Sequence, residues 1–334
     1  VSQSYDADKK DAENRMYTMN RIVAQAILEQ NDMRKVYDSC GDLISIISKH
    51  LYVKEHGRKN WLEKYLPVGR ALVETFYNHM TRVEDVELLV NLLNAYTYIG
   101  AYREIFELEN VVNVMAPRAP ADSILSAKLE CTLGTASQRI AKFRDAIGHY
   151  SKASRICAET DGCEWAELTL ANNIATAKHR GGALREADAL YRDLVEKCNA
   201  FLAGKQDRRV EALLADCRNN YGALLSECGD ESAIQHCMEA LRKNLELVKR
   251  KEEDRAYLNS NIYINIAICA PDGDTESKDQ RILQNCGSQN SFELMKAVCR
   301  KRIDPQSQLA MATAEHNLAV FYYLYEKDAT AGVV

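Results

Sequence analysis

One pattern constrains this chain more than its length or its composition: a segment that returns at a nearly fixed spacing. L-V-N-L-L-N-A-Y-T-Y-I-G-A-Y-R-E-I starts at Leu89, and E-C-T-L-G-T-A-S-Q-R-I-A-K-F-R-D-A starts at Glu130. A-N-N-I-A-T-A-K-H-R-G-G-A-L-R-E-A starts at Ala171, and R-N-N-Y-G-A-L-L-S-E-C-G-D-E-S-A at Arg218. The first two intervals are 41 residues and the third is 47. Two further first halves follow, I-N-I-A-I-C from Ile264 and H-N-L-A-V-F-Y from His316. Apolar residues recur in each unit at three- and four-residue steps, the period of an amphipathic helix. Gly100, Gly182 and Gly229 stand where the first helix should end, with Ala141 taking that place in the second unit.

The spacing of small residues says how the helices meet. Gly134, Ala175, Gly222, Ala267 and Ala319 on the first helix, and Ala146, Ala187 and Ala233 on the second, mark points of close approach. Each second helix then continues with Tyr150 and Ala153, Tyr191 and Leu194, or Cys237 and Ala240. The first unit should end near Pro117, where a helix stops.

A small residue in mid-helix, an aromatic, Gly at the turn, aromatic-x-x-Ala and a final Pro together resemble the tetratricopeptide repeat. Tyr96, Gly100, Tyr102 and Pro117 carry the likeness in the first unit. Leu133, Gly134, Phe143, Ala146, Tyr150 and Ala153 carry it in the second. The long period, with N-N-x-A or N-L-A in the first helix, is similar to the kinesin-light-chain type. The resemblance covers about residues 89–326. It implies an all-α fold, a right-handed α-solenoid of tandem TPR-like helix pairs with a long concave face.

Residues 1–88 then read as divergent N-terminal helical repeats, and residues 89–334 as the array. Residues 14–50 can form a helix pair, and residues 58–80 two helices broken at Pro67. Residues 271–290 are polar and Gly-containing, an insertion loop between a first helix at about 254–270 and a second at about 291–302. Phe321, Tyr322, Tyr323 and Tyr325 crowd the last helix, which points to an array that continues past Val334 or to a partner covering it.

Composition narrows the setting. Apolar residues are 46% and charged residues 27% of 334, enough for a core and too apolar for a disordered chain. A net charge of −5 supplies no global field toward nucleic acid or anionic lipid. Eleven scattered cysteines without C-x-x-C argue against a disulfide scaffold or a zinc ribbon, so they read as reduced packing residues of an intracellular protein, cytoplasmic or organellar (the mitochondrion included) and not secreted. No apolar run reaches a membrane span. The start lacks an initiator Met, as a processed chain or fragment would, and resembles neither a signal nor a transit peptide.

Nothing in the sequence has the form of a catalytic constellation. There is no G-x-G-x-x-G, P-loop, H-E-x-x-H or G-x-S-x-G, and no cofactor, metal or small-molecule substrate is expected. Cys228, His236 and Cys237 read as packing residues rather than ligands. Cys157 and Cys163 flank a turn, and read as two reduced thiols with a redox bridge as the alternative.

The Asn series is more informative. Asn91, Thr132, Asn173, Asn220, Asn265 and Asn317 are equivalent positions of the first helix. Asn is a mediocre helix former, so its recurrence needs a reason. Asn91, Asn173, Asn220, Asn265 and Asn317 either line a groove and hold the backbone of an extended partner peptide, or bond neighbouring helices. Lys128, Arg139, His179 and Arg180 share groove-facing register, flanked by the acids Glu87, Asp216 and Glu227. They read as a seat for a carboxylate or phosphate, or as solvated surface. Outside the groove, Arg208-Arg209, Lys249-Arg250-Lys251 and Arg300-Lys301-Arg302 read as solvated helix ends. The expected function is a non-enzymatic scaffold or adaptor binding a peptide or helix of a protein partner within a multi-subunit assembly. The alternative is an RNA-binding subunit that grips phosphates.

Overall fold

The computed structural model describes residues 2–4, 16–18, 32–52, 59–120 and 123–249, together with Ile262, Asn265 and His316. Apart from one short ladder, the described elements are helices. Strands β1 (Ser2–Ser4) and β2 (Met16–Thr18) pair antiparallel, with Gln3 opposite Tyr17. Then come α1 (Met33–Ser39), α2 (Gly41–Leu51), α3 (Lys59–Phe76), α4 (Val83–Ile99), α5 (Tyr102–Glu107) and α6 (Glu109–Met115). A 3-10 turn at Ala116–Arg118 leads to α7 (Ile124–Arg139) and α8 (Phe143–Ala158). The series closes with α9 (Glu164–Arg180), α10 (Leu184–Gly204), α11 (Arg208–Glu227) and α12 (Ala233–Lys249). From α7 onward each helix packs on the next, and α9 also touches α11. Helices α7, α9 and α11 are thus the first members of successive pairs, with α8, α10 and α12 the second.

The turn inside each pair is the same structure four times. Gly100, Ala141, Gly182 and Gly229 have φ of 77, 61, 82 and 73°. Each turn closes with a bond from the following residue back across it: Ala101 N–H to Tyr96 O, Lys142 to Ser137, Ala183 to Lys178 and Asp230 to Leu225, all at 2.9 Å. This is the Schellman geometry, which satisfies helix-end carbonyls and calls for a left-handed residue. Ala141 adopts it without the freedom of Gly.

The small residues fall where the two helices of a pair touch. A Cβ on Gly134 would lie 2.7 Å from the Tyr150 ring, and one on Gly222 only 2.4 Å from Cys237 Sγ. Ala146, Ala175 and Ala187 are fully buried, and Ala233 nearly so. A polar tie recurs as well. The Tyr150 hydroxyl reaches Thr135 Oγ1 at 3.3 Å within its own pair, and the equivalent Tyr191 reaches Thr176 Oγ1 at 3.0 Å in the next.

Four expectations need correction or lie elsewhere. Pro67 lies inside α3 and does not break it. An interior Pro costs about 3 kcal/mol, but Leu66, Leu72, Val73 and Phe76 are buried around it, and Gly69 lets α3 approach Leu51 and Ile47 of α2. The 14–50 stretch is not simply a helix pair. Met16–Thr18 is a strand, and its later half splits at Cys40 into α1 and α2. The second helix of the first unit is two short helices, α5 and α6, meeting at buried Leu108. Val111, Val112 and Val114 there are β-branched and resist a long helix. The 271–290 loop and the 254–270 and 291–302 helices, with the terminal aromatics, lie outside the described residues, save that Ile262 and Asn265 are helical. Position 88/89, where the repeat pattern becomes legible, falls within α4.

The buried side chains group into overlapping cores. One runs from Tyr37 through α4 to Ala136, a second joins α7, α8 and α9, and a third joins α9 through α12. A polar network pins α1 to α4: the Tyr37 hydroxyl donates to fully buried Asp85 at 2.5 Å, and Asp85 also accepts from the Arg82 backbone at 2.8 Å. Burial first, then the Asp85 contact, pushes Tyr37 up to about 12.

Candidate functional site

The Asn series folds into bonds between successive first helices. Asn91 Nδ2 donates to Ser48 O at 3.2 Å and to Ser48 Oγ at 3.0 Å, crossing from α4 to α2. Thr132 Oγ1 meets Asn94 Oδ1 at 2.6 Å, from α7 to α4. Asn220 Nδ2 reaches Thr176 Oγ1 at 3.4 Å, from α11 to α9, and Asn265 Nδ2 reaches Asn219 Oδ1 at 2.9 Å. These amides spend donors inside the stack, and Asn91 is buried. Asn173 is half-buried, while its neighbour Asn172 is buried with its amide oxygen lacking a partner among the described residues. Asn317 lies outside the described residues, although the adjoining His316 is helical and exposed.

The basic set separates into two places. Lys128 and Arg139 share one face of α7 but stand eleven residues apart, about three turns or ~16 Å. Lys128 therefore does not join the other three at one carboxylate. Arg139 and Arg180 share an electrostatic neighbour. Both are exposed, both end first helices, and both act electrostatically on the hydroxyl of Tyr150. Burial pushes that hydroxyl up to about 12 against their pull. Neither arginine, nor Lys128, has an ion pair among the described residues. His179 is different, since its Nε2 lies 3.1 Å from Glu227 Oε1. Glu227 was expected to flank the basic centre; it instead partners one of its members. Glu87 is exposed on α4.

A cleft of about 290 Å³ opens between the starts of α9 and α11. Trp165, Thr169, Arg208, Arg209, Ala212, Leu213 and Asp216 line it. Trp165 is 37% exposed, an unusual state for so large an apolar side chain. The Arg209 guanidinium lies 5.4 Å from its ring centre and is held 2.8 Å from Asp207. Thr169 stands eleven residues before Arg180, as Lys128 does before Arg139, so cleft and cationic end lie on one stripe of α9. Sequence reading placed Arg208-Arg209 outside the groove and did not select Trp165 or Thr169. The available signal was register: Trp165 and Thr169 precede Asn173 by two helical steps of four and by one, respectively.

A second cleft, about 440 Å³, lies between the 3-10 turn, α7 and α8. Glu130 lines it, accepting from His149 Nδ1 at 2.6 Å with Lys152 Nζ at 3.6 Å. Burial raises the Glu130 carboxyl, but His149 and Lys152 outweigh it and hold the group below its ordinary range.

Among the described residues no group of three His, Cys, Asp or Glu is placed to hold a metal ion, and no helix is long and apolar enough to cross a membrane. No protein-family model matches this chain, and a comparison with curated proteins finds no match.

Proposed function

We propose that the chain is a non-enzymatic, tetratricopeptide-like scaffold whose right-handed α-solenoid holds an extended acidic segment of a partner protein. The seat is the face formed by α7, α9 and α11. One observation carries the reading: Arg139 and Arg180 end successive first helices, both act electrostatically on Tyr150, and neither has an acidic partner among the described residues. Two unpaired cations that act on one site both attract an anion placed between them. The Asn ladder supports the same reading indirectly. By bonding helix to helix it fixes the spacing of the stripe that the arginines end. From Arg180 to Trp165 is ~22 Å along α9, the span of roughly seven extended residues. An acid would sit at the arginines and an apolar side chain in the Trp165 cleft.

The test is a fluorescence titration of acidic seven- to nine-residue peptides carrying one apolar residue, read at Trp165 in a Trp61→Phe background. Binding should weaken at least tenfold in Arg139→Glu/Arg180→Glu, with the helical circular dichroism unchanged. Unaltered affinity in that variant overturns the seat. Single-stranded RNA is titrated in parallel; tight RNA binding that falls steeply with salt, without peptide binding, would replace the scaffold reading by the ribonucleoprotein one.

A further inference from the structure

The larger cleft, about 440 Å³, takes no part in the seat of the acidic peptide. Its volume falls among those of small-molecule sites, roughly 300–1,000 Å³. Its floor is apolar: Ala119 and Leu129 are buried, and Ile156 is half-buried. Its rim carries four charged side chains, Glu130 from α7 and Lys152, Arg155 and Glu159 from the end of α8.

These charges are not equally committed. Glu130 Oε2 lies 2.6 Å from His149 Nδ1, and Glu130 Oε1 lies 3.6 Å from Lys152 Nζ. One acid and one base of the rim thus satisfy each other. Arg155 and Glu159 are exposed, and neither has an ion pair among the described residues. They stand one turn apart, a spacing at which opposite charges can meet, but with the base before the acid, the weaker order on a helix. Glu159 also caps α8, a helix of 16 residues whose last carbonyls carry negative partial charge. The cleft therefore offers a positive point at Arg155, a negative one at Glu159 and the helix end, and an apolar floor beside them.

We infer that this cleft binds a free α-amino acid with an apolar side chain. Its carboxylate meets the Arg155 guanidinium, which suits a planar two-oxygen anion. Its ammonium group meets Glu159 and the end of α8, and its side chain covers Leu129 and Ile156. Other ligand classes fit less well. A simple anion would face Glu130 and Glu159, and a simple cation Lys152 and Arg155. An uncharged apolar molecule would desolvate both free charges and pair neither. In an α-amino acid one carbon separates the two charges, and Cβ atoms one helical turn apart are about 5–6 Å from each other, within reach of both long side chains. Ala116, Pro117 and Ala119 bring the turn after α6 to the same cleft, so the occupant touches the first unit as well as the α7–α8 pair.

The experiment is calorimetric titration of the full chain with L-leucine. N-acetyl-leucine lacks the ammonium charge, leucinamide lacks the carboxylate, and glycine lacks the apolar side chain. Each should bind about tenfold more weakly than L-leucine, or weaker still. Arg155→Gln and Glu159→Gln should each weaken L-leucine to a similar extent, with dichroism and melting temperature unchanged because both side chains are exposed and unpaired. Arg139→Glu/Arg180→Glu should leave L-leucine binding as it is, which separates this site from the peptide seat. No binding of L-leucine, L-methionine or L-phenylalanine at millimolar concentration overturns the inference. So does N-acetyl-leucine or leucinamide binding as tightly as L-leucine, a result that needs no variant, or full affinity in either Gln variant.

Discussion

Ala141 does what Gly does in the three equivalent turns, at φ 61°. A left-handed L-residue costs roughly 1–2 kcal/mol, offset in part by the greater unfolded-state freedom of Gly. Because Ala141 is exposed, nothing else is lost on replacing it. Ala141→Gly should therefore stabilise the chain by about 1 kcal/mol, read as a higher urea midpoint with unchanged slope. Tyr37→Phe tests the opposite case. It removes the donor to fully buried Asp85 and should cost about 1–3 kcal/mol. Glu130 sets a pH dependence. Its folded-state carboxyl lies below the ordinary range, so its contribution is complete above the unfolded value of about 4.3 and is lost as pH falls through the folded one. Glu130→Gln should lower stability at pH 7 and flatten the acid limb below about pH 5. A limb as steep as that of the parent protein would show that His149 and Lys152 do not hold Glu130.

At the scale of helices, glycine marks two different things. Gly222 of α11 lies where α12 crosses: a Cβ there would stand 2.4 Å from Cys237 Sγ and 3.0 Å from the Ala233 carbonyl. Gly148 in the interior of α8 has nothing within 4 Å of that position. Gly222→Ala should then destabilise by about 1–3 kcal/mol through forced displacement of α12. Gly148→Ala should stabilise by about 0.5–1 kcal/mol, since only helix propensity changes. Thermal melts of the two variants moving in the same direction would contradict the helix contact assigned to Gly222. Pro67 belongs to this scale too. A sequence rule stops a helix there, yet α3 continues, because its apolar face is already committed against α2 and α4.

Across the whole molecule, contacts run chiefly between neighbours in sequence order, and three cores overlap by sharing α7 and α9. Such a stack loses stability locally when one core is damaged. Leu92, fully buried in α4, tests this: Leu92→Ala should cost about 2–5 kcal/mol. Hydrogen exchange should accelerate in α2 to α4 while α11 and α12 keep their protection. Uniform acceleration would mean a single cooperative core. Small-angle scattering of the parent chain should report an elongated particle with an almost purely helical dichroism spectrum.

The helix pairs, their turns and their points of closest approach were legible in the residues alone. Helical period and left-handed turns are requirements of a residue and its near neighbours, so Gly100, Ala141, Gly182 and Gly229 declare them in place. Small residues at a repeated register likewise announce a crossing. What the Asn amides bond, the Trp165 cleft and the passage of α3 through Pro67 were not legible in that way. Each depends on atoms brought from another helix, often some 40 residues away, as in the Asn91–Ser48 bond. Periodicity fixes which face a residue occupies, but only packing decides what occupies the space in front of it.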